Sequence, residues 1–172
     1  MQGPGDPDWT PATPELVATP VAAVLDGLDV LAAPIDPDLA DTAEFCARYG
    51  VDLADSANCV IIAGRRGDVT RYAACVVLAT TRADVNGVVR KRLDARKASF
   101  APMDDAVALT GMEYGGITPI GLPADWPVLI DAAVLERASV VIGSGLRRSK
   151  IAIAPHVLAG LPGAEVIEGL AR

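Results

Sequence analysis

The sequence predicts an α/β domain with a mixed sheet and helices packed around it. Short apolar and β-branched runs alternate with segments whose apolar residues recur at helical spacing. The alternation lacks strict β-α-β repetition and internal repeats, which favours a mixed sheet. Hydrophobic residues make up 51% of the 172 residues, enough for one full core. Residues 1–14, rich in Pro, Gly, Asp and Thr, predict a flexible N-terminal tail, so we expect a single domain over 15–172.

The N-terminal third predicts two helices and one strand. Residues 16–28 have helical spacing, although Pro20 falls in the first turn. An apolar run predicts a strand over 30–35. The second helix is predicted over 38–49, with Gly50 as its stop.

A β-hairpin is predicted in the middle of the chain. Two β-rich runs, 57–63 and 71–80, flank the connection GRRGD, whose two glycines suit a turn. Asp84 then fits a helix N-cap, because an apolar stripe at helical spacing continues from it to Leu93.

The remaining elements are shorter. A strand is predicted over 99–101 and a helix over 102–110, with Met103, Ala106 and Val107 facing the core. The other predicted elements are strands at 117–120, 128–130, 140–142 and 150–153, a helix at 155–159 and a strand at 165–167.

The charge is unevenly distributed. The formal net charge is −7, but residues 1–55 hold 11 acids and one base, Arg48, whereas the rest holds 11 acids and 14 bases. These bases cluster at 90–97 and 147–150. Because salt screens charges over about 10 Å, local clusters decide which partners can bind. The clusters allow a phosphate-bearing partner, and solvated helix and loop faces are the alternative interpretation.

We expect a cytoplasmic protein without a membrane segment. No apolar run approaches the roughly 20 residues that span a bilayer. The N-terminus has neither the basic start nor the apolar stretch of a signal peptide. The three cysteines, Cys46, Cys59 and Cys75, lack zinc-site spacing and are interpreted as reduced thiols.

Side chains for catalysis are scarce. His156 is the only histidine, so any Ser-His-Asp or Cys-His arrangement would need it. No nucleophile-like context surrounds it, and we interpret it as a surface or helix-start residue. No cluster of His, Cys, Asp and Glu has ligand spacing, so neither a metal nor a cofactor is predicted. A divalent cation held by carboxylates alone stays an open alternative that no motif singles out.

Two further segments are candidate binding elements. Residues 143–150, GSGLRRSK, follow a predicted strand but lack the Gly-Lys-[Ser/Thr] ending of a phosphate loop. The turn and its cations remain a candidate anion contact. Asp131 stands where a strand leaves the sheet, as a turn or cap former or as a functional acid.

The segment from Lys97 to Gly121, KASFAPMDDAVALTGMEYGGITPIG, is the strongest indication of a binding site. Two adjacent glycines, a Thr-Pro pair and a third glycine lie within residues 115–121. Glycine lets a backbone approach a ligand closely and proline stiffens it, so such a loop can present N–H groups to an acceptor.

Six phrases follow one another along the chain, namely ADVNGVVRK, KASFAPMDDAV, TGMEYGGITPIGLP, VLID, VVIGSG and LPGAEVI. In this order they resemble the YbaK/ProX-type aminoacyl-tRNA editing domain family over roughly residues 20–170. The resemblance implies an α/β fold with a mixed, barrel-like sheet. It also implies hydrolysis of the ester between a wrong amino acid and a tRNA by a free-standing protein. The implied partner is the aminoacyl-tRNA acceptor end, with no DNA, membrane or cofactor.

The resemblance also implies a set of site residues. The backbone-rich substrate loop comprises Gly115, Gly116, Ile117, Thr118 and Pro119, with Gly116 as a catalytic backbone donor. Asn58 stands where many family members have a lysine, and it would orient the water or the carbonyl. Further substrate contacts are Asp131, Gly143, Ser144, Gly145 and Lys97. Lys97 is a candidate compensating cation or a solvated residue.

Three functions remain open at the level of sequence. The first is an aminoacyl-tRNA deacylase acting in trans. The second is a non-catalytic tRNA- or nucleotide-binding regulatory protein that retains the fold, because Asn58 supplies no charge. The third is hydrolysis of another small ester or amide by the same loop.

Overall fold

The structure, a computed structural model, describes residues 3–172. Within this range the chain forms nine strands. They are β1 (Thr10–Pro11), β2 (Val30–Pro34), β3 (Ala57–Arg66), β4 (Val69–Leu78), β5 (Lys97–Phe100), β6 (Val128–Asp131), β7 (Val140–Gly143), β8 (Ser149–Ile153) and β9 (Ala164–Ile167).

The helices are short. They are α1 (Thr19–Ala22), α2 (Thr42–Tyr49), α3 (Arg90–Arg92), α4 (Met103–Thr110) and α5 (Pro155–Ala159). Single 3₁₀ turns occur at Pro14–Leu16, Pro37–Leu39, Leu53–Asp55 and Ala132–Glu136, and a π-helical turn at Val85–Val89 precedes α3. No helix in residues 3–172 is both long enough and apolar enough to cross a membrane.

The strands of residues 3–172 form two sheets. One has the order β1-β2-β8-β7 and is antiparallel throughout. The other has the order β5-β3-β4-β6-β9, with β6 parallel to both β4 and β9. The predicted mixed α/β class is therefore confirmed.

The barrel-like closure that the resemblance implied is wrong. The two sheets meet at an isolated bridge between Ser56 and Val141, and β5 and β9 remain the edges of the five-stranded sheet. The short strands of the four-stranded sheet stack against the long hairpin of β3 and β4 instead of extending its ladder.

Side chains alternate between the two faces of each strand and so define the layers. Ala74, Val76 and Ile130 point into the main core between the sheets, together with Ile142 and Ile151. Cys75 and Val77 point the other way and pack under Val89 and Leu93, next to α3. Phe45 of α2 packs on Val141 at the outer face of the four-stranded sheet.

Several predicted elements agree with the structure. The hairpin, the helix over 155–159 and the helix stop at Gly50 are confirmed. The predicted cap at Asp84 is also confirmed, because its Oδ1 accepts a hydrogen bond of 2.9 Å from the N–H of Gly87.

Several predicted elements are wrong. The helix over 16–28 is reduced to Thr19–Ala22, which starts beside Pro20, and the strand over 117–120 is a loop. Met103 and Val107 of α4 are 53% and 37% exposed, because only the Ala106 side of that helix faces the core.

The N-terminal segment also differs from the predicted loose tail. Residues 1 and 2 lie outside the described range. Within residues 3–14, β1 pairs with β2, and the N–H of Asp6 donates to the carbonyl of Tyr49. The described part of this segment therefore packs against the domain.

Candidate active site

A cavity of about 310 Å³ opens where the two sheets meet. The first half of β3 forms one wall, and the end of β7 and the start of β8 form another. The remaining walls come from the start of α2, the loop over residues 114–117, the end of β5 and one residue of α4. Its polar lining includes Asp41, Thr42, Ser56, Asn58, Tyr114 and Lys150.

Asn58 lies on the β3 wall with its side-chain amide held in one orientation. The hydroxyl of Thr42, at the start of α2, donates to Asn58 Oδ1 at 2.8 Å. Because Oδ1 accepts this bond, the Nδ2 group remains able to donate to a ligand. The predicted role of Asn58 as a donor to a carbonyl or a water is compatible with this arrangement.

Lys150 supplies a buried cation to the cavity. The sequence analysis included it only among the cations of the 143–150 turn and did not predict its burial. Only 8% of the residue is exposed. Its Nζ donates to the carbonyl of Ala40 at 2.8 Å and lies 5.2 Å from the centre of the Phe45 ring. Since an ammonium group has three donors, donors remain for a ligand in the cavity.

Burial changes the protonation of Lys150. Desolvation lowers the pKa of its ammonium group to about 8. Cys46 and Asp41 oppose this effect, and Arg147 adds to it. The group is therefore mostly charged at pH 7 but loses its proton at moderately alkaline pH.

The predicted substrate loop reaches the cavity through Gly115 and Ile117. Among the described residues, neither of their N–H groups donates to a backbone oxygen, so both can serve a ligand. Gly143 lies beside them at the end of β7 and also lines the cavity. Main-chain atoms of these residues therefore form much of one rim of the cavity.

Gly116 packs the loop against the turn after β7. Its N–H donates to Glu113 at 3.0 Å and its carbonyl accepts from Gly145 at 2.6 Å. A β-carbon at residue 116 would lie 2.7 Å from the carbonyl carbon and oxygen of Leu146. Glycine is needed here for close backbone approach, and its N–H is already bonded.

Residues 36–161 match the aminoacyl-tRNA editing domain family. The match covers well over half of the chain and includes every residue that lines the cavity. The chain belongs to the aminoacyl-tRNA editing domain family.

Solved structures with this editing-domain fold include three that each cover most of the chain. One, described as a proposed trans-editing enzyme for prolyl tRNA synthetase, is 21% identical with a TM-score of 0.70, covering 84% of this chain and 87% of that one. A scaffold protein for computational epitope grafting is 21% identical with a TM-score of 0.70, covering 81% of this chain and 85% of that one. A hypothetical protein is 24% identical with a TM-score of 0.68, covering 81% of this chain and 86% of that one. At these identities the likeness shows the fold.

Other predicted site residues of this editing domain lie outside the cavity lining. Thr118 and Pro119 are buried behind the loop, and the Thr118 hydroxyl has no hydrogen-bond partner within residues 3–172. Asp131 is buried at the end of β6, where it pairs with Ile167 of β9. Lys97 lines a second, basic cleft.

Ser144 and Gly145 shape the turn after β7 from within the protein. The Ser144 hydroxyl accepts from the N–H of Leu146 and shares a 2.6 Å hydrogen bond with the Ser149 hydroxyl. A β-carbon on Gly145 would collide with Ala18. Both residues therefore position Gly143 without reaching the cavity themselves.

The remaining candidate nucleophile and base are poorly suited to catalysis. Cys59 lines the cavity, but burial raises the pKa of its thiol far above the ordinary value, so it stays protonated. His156 is exposed on α5, as predicted, and does not line the cavity. Within residues 3–172, no group of three or more His, Cys, Asp and Glu side chains is arranged to hold a metal ion.

Proposed function

We propose that this protein is an aminoacyl-tRNA deacylase that acts in trans on the acceptor end of a mischarged tRNA. The observation that carries the proposal is the set of donors around one cavity in an editing domain. Asn58 of β3 and Lys150 of β8 both line it, and Gly115 and Ile117, whose N–H groups make no backbone hydrogen bond, lie on its rim.

The cavity suits an aminoacyl ester. Its volume of about 310 Å³ is at the small end of the range for ligand pockets. An aminoacyl group fits such a space while the tRNA stays outside. Cys59, Val60, Ile61 and Ile142 give part of the lining an apolar character suited to an amino-acid side chain.

Hydrolysis of this ester needs little from the protein beyond positioning and charge stabilisation. A water oxygen bonds to the carbonyl carbon, and the tetrahedral intermediate places negative charge on the former carbonyl oxygen. The bond to the ribose oxygen then breaks, and that oxygen takes up a proton, which gives a free amino acid and a tRNA. Donors aimed at the developing oxyanion are usually the largest contribution to such catalysis. A ribose hydroxyl of the tRNA would help to position the water.

The donors divide into two kinds. Asn58 Nδ2 and the loop N–H groups are neutral and fixed, whereas Lys150 is charged. The Lys150 cation is the strongest of them, because burial leaves it poorly screened by solvent. Gly116 would contribute indirectly, by holding the loop that presents Ile117.

The first experiment offers the purified protein a panel of tRNAs, each charged with a wrong amino acid. We expect at least one ester to be hydrolysed faster than in buffer alone. No acceleration for any substrate by a folded protein, combined with retention of charged tRNA in a pull-down, would favour the binding-protein alternative that Asn58 raises. Equal activity on free aminoacyl esters would favour a general esterase.

A second experiment links the activity to the cavity. Thr42→Val removes the hydroxyl that orients Asn58, and we expect kcat/KM to fall about fivefold to tenfold, the value of one hydrogen bond of ~1 kcal/mol. Thr10→Val, on the exposed strand β1, is the matched control and should leave activity unchanged. Unchanged activity in Thr42→Val would mean that the Asn58 amide takes no part.

A further inference from the structure

A second cleft, of about 760 Å³, carries a concentration of positive charge. Arg65, Arg90, Arg96 and Lys97 line it, with Asp105 as the carboxylate among its lining residues. The cleft lies in the part of the chain that is net basic, although the whole protein carries −7. We call these four side chains the basic cleft.

The four cations lack ion-pair partners. Among the described residues, none of them lies within 4.0 Å of a carboxylate, whereas Arg66 and Arg92 pair with Asp94 and Glu165. Arg90 is held in place by backbone carbonyls instead, through Nε to Asn86 at 2.7 Å. The basic cleft therefore keeps its charge available to an external anion.

Strand register adds to the repulsion within the cleft. Arg65 of β3 stands directly opposite Lys97 of β5. Like charges in such a cross-strand pair destabilise a sheet. A bound anion between them would remove this repulsion.

The basic cleft adjoins the cavity at the end of β5. Ser99 and Asp105 line the cleft, and the next residues along the chain, Phe100 and Ala106, line the cavity. Lys97 and Phe100 lie roughly 10 Å apart along the strand, at about 3.3 Å per residue, with their side chains on opposite faces. A polyanion in the cleft would therefore reach the cavity around the end of β5.

Two exposed aromatic rings stand at the mouth of the cavity. Phe100 is 63% exposed and Tyr114 is 56% exposed, and both line the cavity. Unpaired bases of a single strand stack on such exposed rings. Cations followed by exposed aromatic rings suit a nucleic acid that changes from a duplex to a single strand.

We propose that the basic cleft binds the backbone phosphates of the tRNA acceptor stem, while the unpaired 3′ end stacks on Phe100 and Tyr114. This proposal rests on the proposed function, because it places the stem so that the ester reaches the cavity. It assigns Lys97 to stem binding, and not to the reacting ester.

Salt dependence of tRNA binding tests the proposal. Binding of uncharged full-length tRNA is measured between 50 and 200 mM salt for the wild type, Arg65→Gln, Arg96→Gln and Lys97→Gln. Each phosphate contact contributes about 0.9 to the slope of log K against log salt, or about threefold over this range. We expect the slope of each variant to be smaller in magnitude than that of the wild type by roughly the contribution of one phosphate contact. Arg48→Gln, on the exposed face of α2, is the matched control and should keep the wild-type slope.

A short single-stranded oligonucleotide ending in CCA separates the stem from the 3′ end. The cleft variants should bind it as the wild type does, whereas Phe100→Ala should weaken its binding. Wild-type slopes in all cleft variants would overturn the proposal. The cations would then serve only to prevent the edge strand from pairing with another chain. Equal losses for the oligonucleotide and the full tRNA would also overturn it, because the cations would then contact the 3′ end. Binding of uncharged tRNA requires no hydrolysis, so this result is independent of the deacylase assay.

Discussion

Replacing Lys150 with methionine separates the contribution of this residue to the fold from its contribution to the cavity. Methionine keeps an unbranched apolar side chain that can pack in the same space. The variant loses the positive charge and the 2.8 Å hydrogen bond from Nζ to the Ala40 carbonyl.

Two effects on stability oppose each other in Lys150→Met. The charged hydrogen bond is worth about 1.5–3 kcal/mol. Burial lowers the pKa of the lysine from 10.5 to about 8, which at about 1.4 kcal/mol per pKa unit is a cost of about 3 kcal/mol for the folded charge. We therefore expect the free energy of unfolding at pH 7 to change by no more than about 1–2 kcal/mol.

The expected effect on activity is much larger. Loss of one donor to a developing oxyanion costs about 100- to 1,000-fold in kcat in hydrolases. We expect a loss of this size in Lys150→Met, measured as the rate of release of the amino acid above spontaneous hydrolysis. Lys91→Met, at an exposed position on α3, makes the same chemical change as a control.

The pH dependence separates the role of Lys150 in activity from its role in stability, because activity should fall with rising pH while its contribution to stability rises. Above pH 8, Lys150 loses its proton, so protein-dependent deacylation should fall, approaching tenfold per pH unit. Between pH 8 and 10.5 the unfolded chain holds this proton more tightly than the fold, so the contribution of Lys150 to stability rises with pH. Asp41, Cys46 and Arg147 also act on Lys150, and the difference between the wild type and Lys150→Met isolates the lysine.

Wild-type activity in a folded Lys150→Met variant would refute this reasoning. So would a loss of activity that follows a loss of structure in circular dichroism and thermal unfolding. The double variant Lys150→Met with Asn58→Lys returns a cation to the cavity from β3, and we expect it to recover part of the lost activity.

Three further substitutions test individual positions. Gly116→Ala should destabilise the fold by about 1–3 kcal/mol in thermal unfolding, because its methyl group would overlap the Leu146 backbone; an unchanged melting temperature would contradict this packing. Thr118→Val should leave stability unchanged or raise it by about 1 kcal/mol, because the buried hydroxyl has no partner within residues 3–172, and a clear loss would indicate an overlooked bond. Cys59→Ala should retain deacylation, because burial keeps the thiol protonated; loss of the rate with the fold intact would assign the sulfur a direct role.

Local sequence signals correctly predicted elements in which the intrinsic propensity of the residues and their burial favour the same structure. The β3–β4 hairpin is such a case, because its β-branched residues fill both faces of a central pair of strands. Residues 117–120 show the limit of this approach. Ile120 is buried as a strand residue would be, but glycines and prolines around it keep the segment out of either ladder.

Local sequence predicted part of the lining of the candidate cavity, and the part that depends on packing was missed. Asn58, Gly115, Ile117 and Gly143 do line one cavity. Lys150 looked like part of a solvated basic cluster, because two arginines and a serine precede it. The run that follows it supplies the missed signal. All five residues of β8 are buried, so a lysine inside that strand has to be buried with them.

A neutral Asn58 leaves Lys150 as the one cation among the described residues that line the cavity. Two like charges in a small cavity repel, by ~2 kcal/mol at about 8 Å and an effective dielectric constant of 20, and more in a drier site. A second lysine at position 58 would therefore lower the pKa of the buried Lys150 further and deprotonate it near neutral pH. Asn58→Lys alone should thus reduce activity, whereas the same change in the Lys150→Met background should raise it. Opposite signs of one substitution in two backgrounds would show that the cavity holds one cation, which acts best at position 150.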